Sequence, residues 1–446
     1  MCRPDARRTV AGGDIAAARR TLAEYLYSEP SFGLFDAMTE MGTLTEEHVH
    51  EVVAAKRGQA LWVSGSLGRR EMLPNSDLDL FVLHERGCRP RDVAISGLDK
   101  VDLGQLALDD AVDLLEATLV DANRLIDGRP LGASALGGAF SVAIGRANTP
   151  DRQLANLLAE HAYYRFFDFP LKRTSFGPNL KYSSGSARVT LFFNFVHRYL
   201  TGEFPAQRSG RPELEDALVT IEAELHCRAP HRSVELILLV KCAAISVFDM
   251  TGDPRAKYVS RWALTLIHEI CYQRFAVWGL RRADDLVSAY AEARHEIEAT
   301  IDDLIVHILR NHPCAEGFLA VTEAPIQHRA ATGARLAAVT PMWRRALLTH
   351  AAWQLTTASP PARLVRALAD ELMERPAIDS WGGLMAVACS PTADDDTLRR
   401  LVTWLADNEP GAYLAKLVRR NPAASPLTRQ LAHAGHMGRE VLREMV

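Results

Sequence analysis

The stretch Leu61–Leu83, LWVSGSLGRREMLPNSDLDLFVL, limits what this chain can fold into more than any other. Leu61-Trp62-Val63 predicts a buried strand, Ser64-Gly65-Ser66 a tight turn, and the residues after it a short basic helix. Pro74-Asn75-Ser76 then predicts a second turn, and Asp77-Leu78-Asp79 opens a second strand. Side chains alternate along a strand, so Asp77 and Asp79 fall on one face, about 7 Å apart. Two such carboxylates repel unless a hard cation sits between them, and Mg²⁺ takes oxygen ligands while leaving positions for phosphate. Gly65 lets the backbone approach a ligand closely, and Ser66 offers a hydroxyl and an amide where a helix begins and anions are favoured. A phosphate cradle beside a metal-binding carboxylate pair suits phosphoryl or nucleotidyl transfer.

Gly65-Ser66, ten residues, then Asp77-x-Asp79 resembles the signature of the DNA-polymerase-β-like nucleotidyltransferase superfamily. The fuller string, Gly65 to Glu71 and then Pro74 to Asp79, is most similar to the branch holding PII uridylyltransferases, glutamine-synthetase adenylyltransferases and their uncharacterised relatives. The resemblance implies an α+β fold: a small mixed-sheet nucleotidyltransferase domain embedded in helices. It implies two Mg²⁺ ions on Asp77, Asp79 and a third carboxylate from a neighbouring strand, which can also accept the proton of the attacking hydroxyl. It further implies Gly65 and Ser66 against the triphosphate of an NTP, ATP or UTP. Lys100-Val101-Asp102-Leu103 predicts such a strand and makes Asp102 the candidate, with Asp99, Asp109 and Asp110 as rivals. Asp102-Leu103-Gly104 resembles a string in the uridylyltransferases, but their following Gly-His-Ser-Val-Arg run is replaced by Gln105-Leu106-Ala107-Leu108-Asp109.

Further along, Pro178 to Arg188 resembles an element that follows the catalytic sheet in this branch, departing from it at Ser186 and Val189. Lys181 and Arg188 bracket its small-residue loop and are candidates to neutralise a triphosphate; the alternative is a Ser/Gly turn leading into the aromatic helix Phe192–Tyr199. Arg69 is a further nucleotide-binding candidate, or else pairs with Glu71 to lock the loop. Leu286–Ile305 resembles a long helix of the same family. No His-Asp doublet occurs, so the metal-dependent hydrolase domain of bifunctional uridylyltransferases is not expected, nor is their strand-rich regulatory pair.

At 446 residues the chain has room for several domains. The expected division is N-terminal helices over 1–58, the catalytic domain over 59–200, a helical bundle over 201–312 and an all-α region over 313–446. Asp14 is expected to cap one N-terminal helix and Thr45 another. In the last region, prolines punctuate short helices near Ser359-Pro360-Pro361, Ser390-Pro391 and Asn421-Pro422. The helices around Cys389–Leu401 and Arg420–Leu431 are similar to α-solenoid units; an irregular helical bundle accounts for them equally.

A net charge of −4 argues against a general nucleic-acid binder. The start, Met1 to Asp5, has no apolar signal region, and the longest apolar run, Leu236–Phe248, is too short to span a bilayer and contains Lys241. Seven cysteines without a Cys-x-x-Cys pair indicate neither a zinc site nor a disulfide framework. A cytoplasmic location and no membrane partner are expected. The leading function is therefore Mg²⁺-dependent transfer of NMP from an NTP to a hydroxyl, with a protein as the acceptor the family implies. Nucleotidylation of a small molecule and a non-catalytic nucleotide-sensing or partner-binding module are the alternatives.

Overall fold

A computed structural model of the chain describes residues 15–54, 60–74, 76–85, 101–111, 123–132, 134–149, 153, 157, 185, 187, 190–203, 211–225, 229–251, 259–311, 362–374, 381–408 and 411–446. It is mostly helical with one four-stranded mixed sheet, an α+β architecture. Two compact units divide the chain: Met1–Gln153 with Thr174–Ile301, and Leu154–Arg173 with Asp302–Val446.

The first unit opens with α1 (Ile15–Ser28) and α2 (Leu34–Ala54). Ile15, Ala18, Leu22 and Leu26 recur at helical spacing and are buried. Thr45 caps nothing. It lies inside α2, where its buried hydroxyl donates to the Met41 carbonyl at 2.8 Å, the back-bond by which a threonine is satisfied within a helix. The start of α2 is marked instead by Gly33, whose amide donates to the Asp36 carboxylate at 3.1 Å.

β1 (Ala60–Ser64) leads into α3 (Gly65–Gly68), a single turn; β2 (Leu78–His84) and β3 (Val101–Ala107) follow, then α4 (Asn123–Ile126), β4 (Arg129–Leu131) and α5 (Ala135–Ala147). The strand order is β3-β2-β1-β4. β1 is antiparallel to both its neighbours, whereas β2 and β3 run parallel. Every residue of β1 is buried, as a central strand covered on both faces requires. The register pairs Trp62 with Phe81, Ala60 with Leu83 and Leu83 with Leu106, which makes one apolar face. Phe140 and Ile144 of α5 belong to the same core cluster, and the Trp62 and Phe140 rings are 6.3 Å apart. Continuing the alternation along β2, Asp79 occupies the same face as Phe81 and Leu83, at the end next to Ser64.

α6 (Leu191–Thr201), α7 (Glu213–Leu225), α8 (His231–Thr251), α9 (Arg261–Ile270), α10 (Tyr272–Val277) and α11 (Ala283–Asn311) form the helical part that follows. α1 joins them: Tyr27 hydrogen-bonds Ser246 on α8 at 2.9 Å, and Arg274 on α10 donates to the Leu26 carbonyl at 3.0 Å. α8 contains the apolar run at Leu236–Phe248, yet no helix among the described residues is long and apolar enough to cross a membrane.

Beyond Asn311 the described residues form α12 (Ala362–Glu374), α13 (Trp381–Cys389), α14 (Asp395–Trp404), α15 (Gly411–Arg420), α16 (Pro426–Met437) and α17 (Arg439–Arg443). Two turns in this region repeat one another. Ser390 and Asn421 stand 31 residues apart in sequence and occupy equivalent turns. In one, the Ser390 amide bonds Val387 O and the Ala393 amide bonds Ser390 O; in the other, Asn421 bonds Val418 O and Ala424 bonds Asn421 O. Both turns lead into a capped helix, the Thr397 amide donating to Asp394 at 2.8 Å and the Thr428 amide to Ser425 at 3.2 Å. The two copies are stitched together by Asn421, whose side-chain amide donates to the Ala388 and Ser390 carbonyls at 2.8 and 2.9 Å. At the same spacing upstream, Ser359-Pro360-Pro361-Ala362 matches Ser390-Pro391-Thr392-Ala393 and Asn421-Pro422-Ala423-Ala424. Among the described residues the turns at Ser390 and Asn421 are two copies of one helical unit.

Candidate active site

The sequence places a strand, a turn and a second strand in succession, and the fold closes them on one another. Gly65 has φ of +59°, a left-handed conformation that glycine adopts without penalty. A Cβ there would lie 2.4 Å from Oδ2 of Asp79, so the glycine turn rests directly on the carboxylate. The Ser66 hydroxyl faces the Asp77 carbonyl at 3.5 Å, at the outer limit of a hydrogen bond. Asp77, just before β2, is exposed and Asp79 is half-buried. On the other side of β2, Asp102 is the register partner of Asp79 on the parallel strand β3, so the two positions share a face. Its side chain lies outside the described residues, as do Lys181 and Arg188. Of the loop they bracket, Gly185 is described; a Cβ on it would meet the Arg294 backbone at 2.4 Å. Gly104 serves packing, its missing Cβ leaving room for the Phe81 ring.

The helix after Gly65 is shorter than expected and carries no arginine. It stops because Arg70 takes φ of 58°, with the Arg70 amide bonded to Leu67 O and the Glu71 amide to Ser66 O. That is a Schellman cap with arginine where glycine is usual, at a cost of about 1 kcal/mol. The effect is to turn the side chains of Arg69 and Glu71 inward, where they pair at 2.8 Å, as the locking alternative anticipated. Arg69 also holds Asp127 at 2.6 Å and is buried, so its guanidinium shapes the loop from beneath. Burial opposes its charge, but Glu71 and Asp127 outweigh burial and raise its pKa.

From Arg69 a chain of buried ions runs into the helices. Asp127 accepts from Arg198 of α6 at 2.5 Å, and Arg198 forks onto both oxygens of Glu213 of α7 at 2.5 and 2.6 Å. Asn194 donates to Glu71 at 2.5 Å, and the Glu213 amide donates to the Arg69 carbonyl at 3.0 Å. Burial would keep the Asp127 carboxyl neutral, yet Arg198 and Arg69 together hold it below the ordinary carboxylate range. Arg129 completes the support: it pairs with Glu46 of α2 and donates to the terminal carbonyls of α3 at Leu67 and Gly68. Asp127, Arg198, Glu213 and Arg129 escaped the sequence reading. The available signal was a charge, Arg198, in the last turn of an aromatic helix, among apolar neighbours where it needs a buried partner.

Gly68 is held against backbone on two sides. A Cβ on it would meet the Asp127 carbonyl at 2.2 Å and the Val63 carbonyl at 2.9 Å, both backbone atoms. Gly68→Ala must therefore part α3 from β1, and we expect it to lose about 1–3 kcal/mol of stability. An unchanged urea midpoint would contradict the closeness of that contact.

No protein-family model and no curated protein matches this chain.

Proposed function

We propose that the chain is a Mg²⁺-dependent nucleotidyltransferase that moves NMP from an NTP to a hydroxyl, with a protein as acceptor. The observation carrying this reading is the seat of Gly65 on Asp79, which joins a glycine turn at the start of α3 to a carboxylate in one place. The donor chemistry fits the metal: Asp77, Asp79 and Asp102 would hold it through carboxylate oxygens, and Asp79 and Asp102 are register partners. When bound, the two ions supply a Lewis acid for the α-phosphate and lower the pKa of the acceptor hydroxyl.

The protein's own residues do the rest. Gly65 keeps the turn free of side chain, so phosphate oxygens reach the backbone. Ser66 orients them through its hydroxyl, and Asp102 receives the acceptor's proton. Arg69 and Glu71 touch no substrate in this scheme; pinned to Asp127 and Asn194, they fix the height of the turn over the sheet. The repeat array after Asn311 presents the extended surface suited to a protein acceptor.

Binding is tested by thermal unfolding with each NTP, with and without Mg²⁺. The melting temperature should rise with at least one NTP only when Mg²⁺ is present. A rise of the same size in Asp79→Asn, or none with any NTP, would sink the reading.

A further inference from the structure

Charge is paired between α12 and α14 and, among the described residues, unpaired where α15 meets α16. Arg366 pairs with Asp394 and Asp396 at 2.9 and 3.2 Å, Arg399 with Asp396 at 2.8 Å, and Arg400 with Asp370 at 2.8 Å. Where α15 meets α16, Lys416, Arg419, Arg420 and Arg429 meet no carboxylate among the described residues. They are not scattered. Arg419 and Arg420 end α15, while Arg429 reaches back across the joining loop to the Asn421 and Pro422 carbonyls at 3.5 and 3.4 Å. Arg419 meets the ring of His433 at 3.1 Å, which brings α16 to the same end of the unit.

Helix energetics accounts for part of this and fails for the rest. Cations in the last turn of α15 complement the helix dipole. Arg429 stands in the first turn of α16, where a cation is disfavoured. Leu427, two positions before it on α16, is 53% exposed. Arg429 reaches back to the carbonyls that follow α15, and it, Arg419 and Arg420 still meet no carboxylate among the described residues.

We propose that the junction of α15 and α16, with Arg419, Arg420, Arg429 and Leu427, is a docking site for a protein segment rich in Asp and Glu with apolar residues between them. Uncompensated guanidinium groups on a chain of net charge −4 are complementary to carboxylates. The exposed leucine selects a peptide over a phosphodiester, which offers no apolar side chain. This site is independent of the transferase reading and survives its failure.

The test measures fluorescence anisotropy of the full chain with two dye-labelled probes: a peptide of repeated Glu-Glu-Leu and a single-stranded oligonucleotide of equal charge. The peptide should bind more tightly, and less so as salt is raised. Arg420→Gln with Arg429→Gln should weaken peptide binding by roughly tenfold or more. Arg399→Gln with Arg400→Gln, whose charges are already neutralised, should change it by no more than about twofold. All four positions are exposed, and circular dichroism checks that each variant stays folded. Equal peptide binding by wild type and the Arg420/Arg429 variant, tighter binding of the oligonucleotide, or no binding of the peptide overturns the proposal.

Discussion

Arg198→Ala should be the most destabilising single change in the first unit, losing about 3–5 kcal/mol, because it strands buried carboxylates on both sides. The side chains of Arg198 and Glu213 are each 2% exposed, and Asp127 is buried as well. With the guanidinium gone, Asp127 keeps Arg69 as its partner, whereas Glu213 loses both of its side-chain hydrogen bonds. The loss should be read as a drop in urea midpoint at unchanged slope. Replacing Arg198 and Glu213 together by Met and Leu should cost less than Arg198→Ala alone, since an apolar pair leaves one fewer buried charge unmatched. If Arg198→Ala shifts the midpoint by less than about 1 kcal/mol, the ion chain is not what holds the turn.

The second large effect falls on activity. Asp79→Asn keeps the shape of the side chain beside Gly65 and removes its charge. Loss of a metal-activated step usually amounts to several kcal/mol, so transfer should fall by roughly three orders of magnitude or more. Folding should be unaffected in the absence of Mg²⁺, because thinning a cluster of carboxylates relieves repulsion. Near-normal transfer with Asp79→Asn, at normal stability, removes Asp79 from the chemistry.

Legibility in the sequence followed range. The strand–turn–strand around Gly65 is specified by alternation and turn chemistry within a short window, and the structure seats Gly65 on Asp79 and Ser66 beside the Asp77 carbonyl, with β2 beginning one residue later than expected, at Leu78. The ion chain is not local: Asp127 lies 58 positions from Arg69 and 71 from Arg198. Spacing rules carry no information about such pairs. Thr45 failed for a related reason, since a threonine ahead of an apolar stretch reads as a cap unless one knows that the helix began at Leu34. Arg70 ends α3 in a conformation that propensity assigns to glycine, so the shortness of that helix was hidden too. The proline spacing of the last region was visible, but a repeat needs equivalent backbone turns, and those came from the hydrogen bonds at Ser390 and Asn421. Lys181 and Arg188 lie outside the described residues, and for Asp102 the register position alone bears on its role.

The central claim is chemical, and one measurement meets it directly: intact-mass analysis of partner proteins and metabolites after incubation with the chain, Mg²⁺ and each NTP in turn. The account predicts that one NTP adds a single nucleoside monophosphate to an acceptor, that pyrophosphate appears in equal amount, and that both vanish with Asp79→Asn. A mass gain that persists undiminished in Asp79→Asn, or no gain on any acceptor with any NTP, contradicts it.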